Sequence, residues 1–288
     1  MAPRPSKKVR VQHDDHAIDC FVNWSTDCLP LYYFLKDGLR VPNLTEEERK
    51  NLRTLRVTEE NDGFGLHSLN MEMNYEFKRF EIEEFDESLK DFPACFGTDF
   101  EEVFVFEVAF NDEASAEFFN KLLKSPRLKD LSIENATFHR AAKSGINNLM
   151  TDFQVEHVKI LDLSYSNGHR TSDYHGLNFD FIERWREHKN PKTKSITIGR
   201  YYDDYELDVR DVFRKQMKAF SFYNTMTKQI ANVDLGNVQN CVFIEMKQND
   251  INPLSRGTME SLSKECLIEE VLALQETVAE LQKQLEQC

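Results

Sequence analysis

Six short segments of the chain repeat one pattern of hydrophobic and polar positions. In each segment two apolar residues flank a single residue, and the position three residues before the pair is apolar or, once, threonine. The segments are Leu52/Leu55/Val57, Phe77/Phe80/Ile82, Phe100/Val103/Val105, Leu128/Leu131/Ile133, Val158/Leu161/Leu163 and Thr193/Ile196/Ile198. Their middle positions lie 23 to 35 residues apart, which is typical of a leucine-rich-repeat-like solenoid with one strand per repeat. Such a fold offers a curved binding surface.

The segments between the predicted strands become helical in the second half of the chain. Apolar residues recur at helical spacing after the start signal Asn111-Asp112-Glu113 and again between Ala142 and Phe153. Asn178 and Asp208 are suited to begin two further helices as N-cap residues. We therefore predict an α/β solenoid of strand–helix units. A last pair of strands is predicted at Gln229–Val233 and Cys241–Met246.

The end of the chain has a different pattern, with apolar residues spaced alternately by four and three positions. Valine at the a positions with leucine at the d positions favours a parallel two-stranded coiled coil. A single amphipathic helix that packs on the solenoid is the alternative. The predicted dimerisation seam, for a homodimer or a heterodimer, is Leu267, Val271, Leu274, Val278, Leu281 and Leu285.

These patterns divide the chain into four parts. Residues 1–5 are predicted to be a disordered tail, and residues 6–247 form the leucine-rich-repeat-like domain. Residues 248–258 are polar, contain Pro253 and Gly257, and are predicted to form a linker to the coiled coil at residues 259–288.

Composition narrows the range of partners and compartments. The net charge of −14 opposes binding to nucleic acid or to an anionic membrane, because both interactions need a positive field. No window of about 18 apolar residues is present to span a bilayer, and the N-terminus has no apolar signal-peptide core. The chain is therefore predicted to be intracellular, in the cytoplasm or the nucleus, with its six cysteines as thiols.

The sequence contains no local pattern typical of catalysis or cofactor binding. A glycine-rich phosphate loop, a glycine-flanked nucleophilic serine and a His-Glu-x-x-His helix are all absent. His13, His16, Cys20 and Cys28 are residue types that bind zinc, but their spacing matches no paired-ligand motif. We therefore expect no enzyme activity, no metal and no cofactor.

The more informative candidate is the set of strand residues that alternate with the apolar pairs and would point toward a protein target. Phe104 and Phe106 stand out, because aromatic residues among polar neighbours are typical of binding hot spots. Alternatively, these two rings are buried under another element. The predicted concave-face residues are Arg56, Glu81, Glu83, Phe104, Phe106, Ser132, Glu134, Asp162, Ser164 and Thr197.

One segment, Leu177–Ile198, resembles the type 2 F-box-associated domains of nematodes, in which a helix with a tryptophan and an Asn-Pro loop precede a leucine-rich-repeat-like strand. The matching residues are Asn178, Phe181, Ile182, Trp185, Asn190, Pro191, Ile196 and Ile198. The resemblance implies recognition of a protein substrate for a ubiquitin ligase. No F-box pattern precedes the predicted domain, so the expected function is substrate recognition without an F-box. The alternative is a dimeric coiled-coil adaptor with no ubiquitin-ligase link.

Overall fold

The structure is a computed structural model that describes residues 17–24, 31–58, 75–86, 88–90, 92, 96–166, 171–174, 179–200, 208–217, 219–235 and 240–248. The chain divides into two compact units, residues 1–247 and residues 248–288. Of the second unit only Gln248 is described, so the architecture below is that of the first unit.

The described residues form thirteen strands, five α-helices and one 3-10 turn. The strands are β1 Ile18–Asn23, β2 Leu31–Lys36, β3 Leu39–Val41, β4 Leu52–Thr58, β5 Arg79–Phe85, β6 Glu102–Phe110, β7 Asp130–His139, β8 His157–Ser166, β9 Thr171–Tyr174, β10 Ser195–Arg200, β11 Ser221–Tyr223, β12 Gln229–Leu235 and β13 Asn240–Gln248. The helices are α1 Glu46–Arg49, α2 Glu113–Leu122, α3 Lys143–Asp152, α4 Phe181–Glu187 and α5 Val209–Gln216, and the 3-10 turn is Arg140–Ala142.

All the described strands belong to one mixed sheet. Twelve of them follow the order β11-β12-β13-β10-β8-β7-β6-β5-β4-β1-β2-β3, and β9 pairs with β8 off this path. From β1 through β4, β5, β6, β7 and β8 to β10, neighbouring strands are parallel. Antiparallel strands extend both ends, since β2 pairs with β1 and β13 pairs with β10. The sheet is thus parallel at its centre and antiparallel at its margins.

The predicted leucine-rich-repeat-like solenoid of strand–helix units is wrong. A solenoid stacks equivalent repeats that contact only their neighbours, whereas these strands form a single mixed sheet that hairpins extend at both ends. Between β5 and β6 no α-helix is present in the described residues. The six apolar segments identified parallel strands correctly, but parallel strands in sequence order occur in other α/β sheets as well.

The predicted coiled coil at residues 259–288, with its seam from Leu267 to Leu285, lies outside the described residues, as do the tail at residues 1–5 and residues 249–258 of the linker. The described part of the chain shows no C-terminal coiled-coil helix. Over the described residues the fold class is a mixed α/β sheet.

The apolar pattern was also assigned to the wrong residues of β8. Leu131 of β7 pairs with Val158, and Ile133 pairs with Ile160, so the repeated pair in β8 is Val158/Ile160 and not Leu161/Leu163. The error arose because β8 is apolar on both sides over this stretch. Leu161 instead lies opposite Glu134, on the other face of the sheet.

One face of the sheet and the helices share a single hydrophobic core. Phe119 of α2 packs against Phe138 of β7 with ring centroids 4.5 Å apart, and Trp185 of α4 and Phe213 of α5 belong to the same buried cluster. The predicted helix after Asn111-Asp112-Glu113 is confirmed as α2. Asp208 is confirmed as the N-cap of α5, where its carboxylate accepts a hydrogen bond from the Arg210 backbone N–H, whereas Asn178 lies outside the described residues.

A row of left-handed residues crosses four neighbouring strands. Glu84 of β5, Glu107 of β6, Asn135 of β7 and Asp162 of β8 all have φ near +50°, and the strand registers align them. At each position the alternation of buried residues shifts by one; in β6 the core positions are 103 and 105 before the shift and 108 and 110 after it. We call these aligned left-handed positions bulges, although the strands stay paired one to one through them. They keep the apolar side chains on the core face.

Replacing Glu107 with glycine is expected to raise the free energy of unfolding by about 0.5 kcal/mol. Left-handed backbone costs a residue with a Cβ about 1–2 kcal/mol, and glycine avoids this cost. Part of the resulting stabilisation is lost because glycine has greater conformational entropy in the unfolded chain. As a control, Ala109→Gly in the same strand, where φ is not positive, is expected to lower the free energy by about 1 kcal/mol. Urea denaturation measures both. Equal losses in the two variants would contradict the strain at Glu107.

Candidate protein-binding face

The face of the sheet opposite the core, here called the outer face, carries polar and aromatic side chains in aligned rows. Because β1, β4 to β8 and β10 are parallel neighbours in register, each of these strands contributes one residue to each row. The central row consists of Tyr33, Phe21, Arg56, Glu81, Phe104, Ser132, Lys159, Thr197 and Phe243.

Aromatic rings and guanidinium groups alternate at the β2 end of the central row. The Arg40 guanidinium carbon lies 4.4 Å from the centroid of the Tyr33 ring. Tyr33 stacks on Phe21, with centroids 5.0 Å apart and an interplanar angle of 6°. The Arg56 guanidinium carbon lies 5.5 Å from the Phe21 centroid on the next strand. Cation–π contacts of this kind lie within the roughly 6 Å at which the attraction is significant.

Glu81 connects this aromatic end to the middle of the row. Its carboxylate pairs with Arg56, at 2.9 Å from Nε, and with Arg79. Only 6% of its side chain is exposed, and burial raises the pKa of the Glu81 carboxyl while the two guanidinium groups oppose that shift. Arg79 in turn lies over Phe104, with its guanidinium carbon 3.8 Å from the ring centroid. A continuous line of contacts therefore runs from Arg40 to Phe104.

A second row lies beside the central row, toward the bulges. It includes Glu83, Phe106, Glu134 and Leu161 in register. Glu134 accepts hydrogen bonds from the Lys159 ammonium at 2.6 Å and from the Ser132 hydroxyl at 2.8 Å. Glu83 is exposed, and Phe106, like Phe104, is half-buried. Both rings are therefore partly exposed in this structure, and their burial under another element stays an alternative prediction.

A third row, at the start of the strands, places an acid, a histidine and a serine side by side. Asp130, His157 and Ser195 are register partners, and His157 Nδ1 lies 2.8 Å from the Ser195 hydroxyl oxygen. Burial raises the pKa of the Asp130 carboxyl, and His157 opposes that shift. In a hydrolytic triad the histidine faces the serine through Nε2 and the carboxylate through Nδ1, which is the reverse of this arrangement. We therefore interpret the row as polar packing at the margin of the face.

The structure brings most of the predicted concave-face residues together on the outer face. The central row contains Arg56, Glu81, Phe104, Ser132 and Thr197, and the second row contains Glu83, Phe106 and Glu134. Whether they bind a target stays a prediction.

Asp162 and Ser164 lie outside these two rows. Asp162 is the left-handed bulge residue of β8, and its carboxylate lies 3.7 Å from Arg200. Ser164 follows the bulge and shares a hydrogen bond of 2.8 Å with Thr137. Asp162 was assigned to the binding face because of the register error in β8. Ser164 alternates with the buried Leu163 and Tyr165 and therefore lies on the outer face, beyond the bulges.

Among the residues of the outer face that sequence reasoning missed, five belong to the central row or pair directly with it. Arg79 precedes the apolar pair of its strand, and Lys159 was hidden by the register error. The signal for Lys159 was present, because Val155, Val158 and Ile160 reproduce the spacing of Leu128, Leu131 and Ile133. The remaining three were not considered, because they lie on strands outside the six repeated segments: Phe21, Tyr33 and Phe243.

Comparisons with known proteins identify no relative: no family model, no curated protein and no solved structure matches the chain. The resemblance to F-box-associated domains therefore stays a prediction. In the described residues no helix is long and apolar enough to cross a membrane. The same part of the chain contains no cluster of three or more histidine, cysteine or carboxylate side chains arranged to hold a metal ion.

Proposed function

We propose that this protein is a non-catalytic interaction module that recognises a protein target through the outer face of its sheet. The observation that carries the proposal is the line of contacts from Arg40 to Phe104, in which arginine and aromatic side chains contact one another across six strands, β3, β2, β1, β4, β5 and β6. Arginine, tyrosine and phenylalanine are enriched in protein interfaces, and arginine and tyrosine are enriched at their hot spots. Contacts within the row hold these long side chains in place, so less conformational entropy is lost on binding.

We further propose that target recognition serves a ubiquitin ligase, as the resemblance around Trp185 implies. In support, the resembling segment is folded as a helix followed by a strand, since Trp185 lies in α4 and Ile196 lies in β10. We place the protein in the cytoplasm or the nucleus, where the thiols of Cys20 and Cys241, buried and without a disulfide, are chemically stable. The alternative of a coiled-coil adaptor depends on residues 259–288, and no described residue favours it.

The proposal is tested by affinity capture from a cell extract with the full chain, its Phe104→Ala variant and its Phe118→Ala variant. Phe118 is a matched control, because it is also half-buried but lies on α2 and contacts Phe80 and Phe92 of the core. We expect Phe104→Ala to deplete the specific partners at least about tenfold, as expected for a hot spot. Phe118→Ala should retain them.

Two readouts decide between the outcomes. Circular dichroism establishes that both variants are folded, and quantitative mass spectrometry compares the captured proteins. If Phe104→Ala captures the same proteins as the unmodified chain, the outer face is not the binding surface. Ubiquitin-ligase subunits among the depleted proteins would support the ligase link, and their absence would remove it.

A further inference from the structure

Two phenylalanines occupy neighbouring outward positions of β6, and among the described residues a cation covers only the first. Arg79 lies over Phe104, at 3.8 Å from the ring centroid, and pairs with Glu81. Glu81 is the register partner of Phe104 on β5. Phe104 therefore shows how this sheet holds a guanidinium group, between a ring on β6 and a carboxylate on β5.

Phe106 repeats this arrangement one step further along the strand. Its register partner on β5 is Glu83, and its partner on β7 is Glu134. Glu83 is exposed and forms no ion pair with any described residue. Phe106 thus lies in register between Glu83 and Glu134, in the position that Phe104 has beside Glu81, and its side chain is half-buried.

The surroundings of Phe106 are negatively charged. Glu84 and Glu107, the bulge residues that follow this row, are exposed, and neither pairs with a basic side chain in the described part of the chain. Lys159 of the central row is already held by Glu134 at 2.6 Å. This local excess of carboxylate residues along β5 and β6 favours a positively charged occupant beside Phe106.

We propose that Phe106 and Glu83 bind a basic side chain, preferably arginine, from an extended segment of the partner protein. This inference rests on the protein-binding function proposed above and names the chemistry of its partner. An arginine can stack its planar guanidinium on the ring while it pairs with the carboxylate, whereas lysine offers a smaller, more strongly hydrated charge. Nucleic acid and acidic lipids are disfavoured, because Glu83, Glu84 and Glu107 repel phosphate groups.

The test measures binding of a fluorescein-labelled peptide in which arginine alternates with serine, by fluorescence anisotropy with the full chain. Matched peptides carry lysine or glutamate in place of arginine. We expect the arginine peptide to bind more tightly than the lysine peptide, and the glutamate peptide not to bind. Phe106→Ala should weaken binding about fivefold, and Phe106→Trp should retain it, because tryptophan offers the best face for a cation.

Two charge variants distinguish binding at Phe106 and Glu83 from non-specific attraction of the basic peptide to an acidic chain. Glu83→Gln is expected to weaken binding about threefold, and Glu117→Gln, on the exposed side of α2, should leave it unchanged. The effect of Glu83→Gln should shrink at high salt, and that of Phe106→Ala should persist.

Equal binding of the arginine and glutamate peptides, absence of any arginine-peptide binding, or unchanged binding by Phe106→Ala would overturn the inference. If the inference fails while Phe104→Ala still loses its captured proteins, only the assignment of a basic partner fails. If Phe104→Ala captures the same proteins as the unmodified chain, the proposed function itself fails. Phe106→Trp keeps the test valid if the alanine variant does not fold.

Discussion

Replacing Trp185 with alanine is expected to lower the free energy of unfolding by about 4 kcal/mol, within the range for loss of a large buried aromatic side chain. Trp185 is fully buried, and it anchors α4 to the core shared by the sheet and the helices. The end of the same helix is held by Asn224, whose side-chain amide donates hydrogen bonds to the carbonyl groups of Trp185 and His188. A cavity at Trp185 would therefore loosen the helix and the turn after β11 together.

Phe at the same position provides the matched comparison. The indole Nε1 of Trp185 is buried and has no hydrogen-bond partner among the described residues, so Trp185→Phe removes an unsatisfied donor as well as some volume. Because an unsatisfied buried donor costs about 1–3 kcal/mol, we expect the phenylalanine variant to lose only about 1 kcal/mol. Urea denaturation followed by circular dichroism measures both variants. If Trp185→Ala and Trp185→Phe lost similar free energies of unfolding, the inferred contribution of aromatic packing at this position would be contradicted.

Replacing Gly199 with alanine is expected to lower the free energy of unfolding by about 2–3 kcal/mol, as overpacking does in a filled interior. A Cβ atom at Gly199 would lie 2.3 Å from the Cβ of Cys241 and 2.7 Å from the backbone oxygen of Asn240. The contact is with the backbone of β13, so no side-chain rotation relieves it. The pairing of β10 with β13 would have to open at this point.

The strain at Gly199 is expected to extend to α5. Asn240 accepts a hydrogen bond of 2.7 Å from the backbone N–H of Val209, the first residue of α5, so displacement of β13 disturbs the start of that helix. Thr197→Ala, two residues earlier in β10 on the same face, is the control and should lose less than about 1 kcal/mol. Thermal denaturation and amide hydrogen exchange of α5 measure the two variants. An unchanged melting temperature for Gly199→Ala would contradict the close approach of the strands.

Local sequence signals were sufficient for the starts of α2 and α5, but not for α1 or for α4, which begins after Asp180. Asp112 and Asp208 are N-cap residues in the structure, and the apolar residues at helical spacing after Asp112 are buried on one side of α2. Trp185 was identifiable as a core residue from its spacing to Phe181 and Ile182, and all three are buried. These features depend on hydrogen bonds and contacts within one turn or two, which the local sequence specifies.

The bulges had no local signal. Glycine and asparagine are the residues that normally adopt left-handed backbone. Here Glu84, Glu107 and Asp162 adopt it as well, in register with Asn135. The neighbouring strands impose this conformation, because the register must return the apolar side chains to the core. The same effect misplaced Asp162, because alternation counted from the wrong pair in β8 assigned this left-handed residue to the predicted binding face.

The sequence by itself determined the strand positions at the centre of the sheet, two helix starts and most of the outward residues, because alternation and capping are properties of neighbouring positions in the chain. Only the tertiary structure decided that the strands form one mixed sheet and not a solenoid, because pairing of β2 with β1 and of β13 with β10 depends on contacts distant in sequence. It also joined Arg79 to Phe104 and Glu81. That juxtaposition requires the register between two strands, which no single-strand pattern contains.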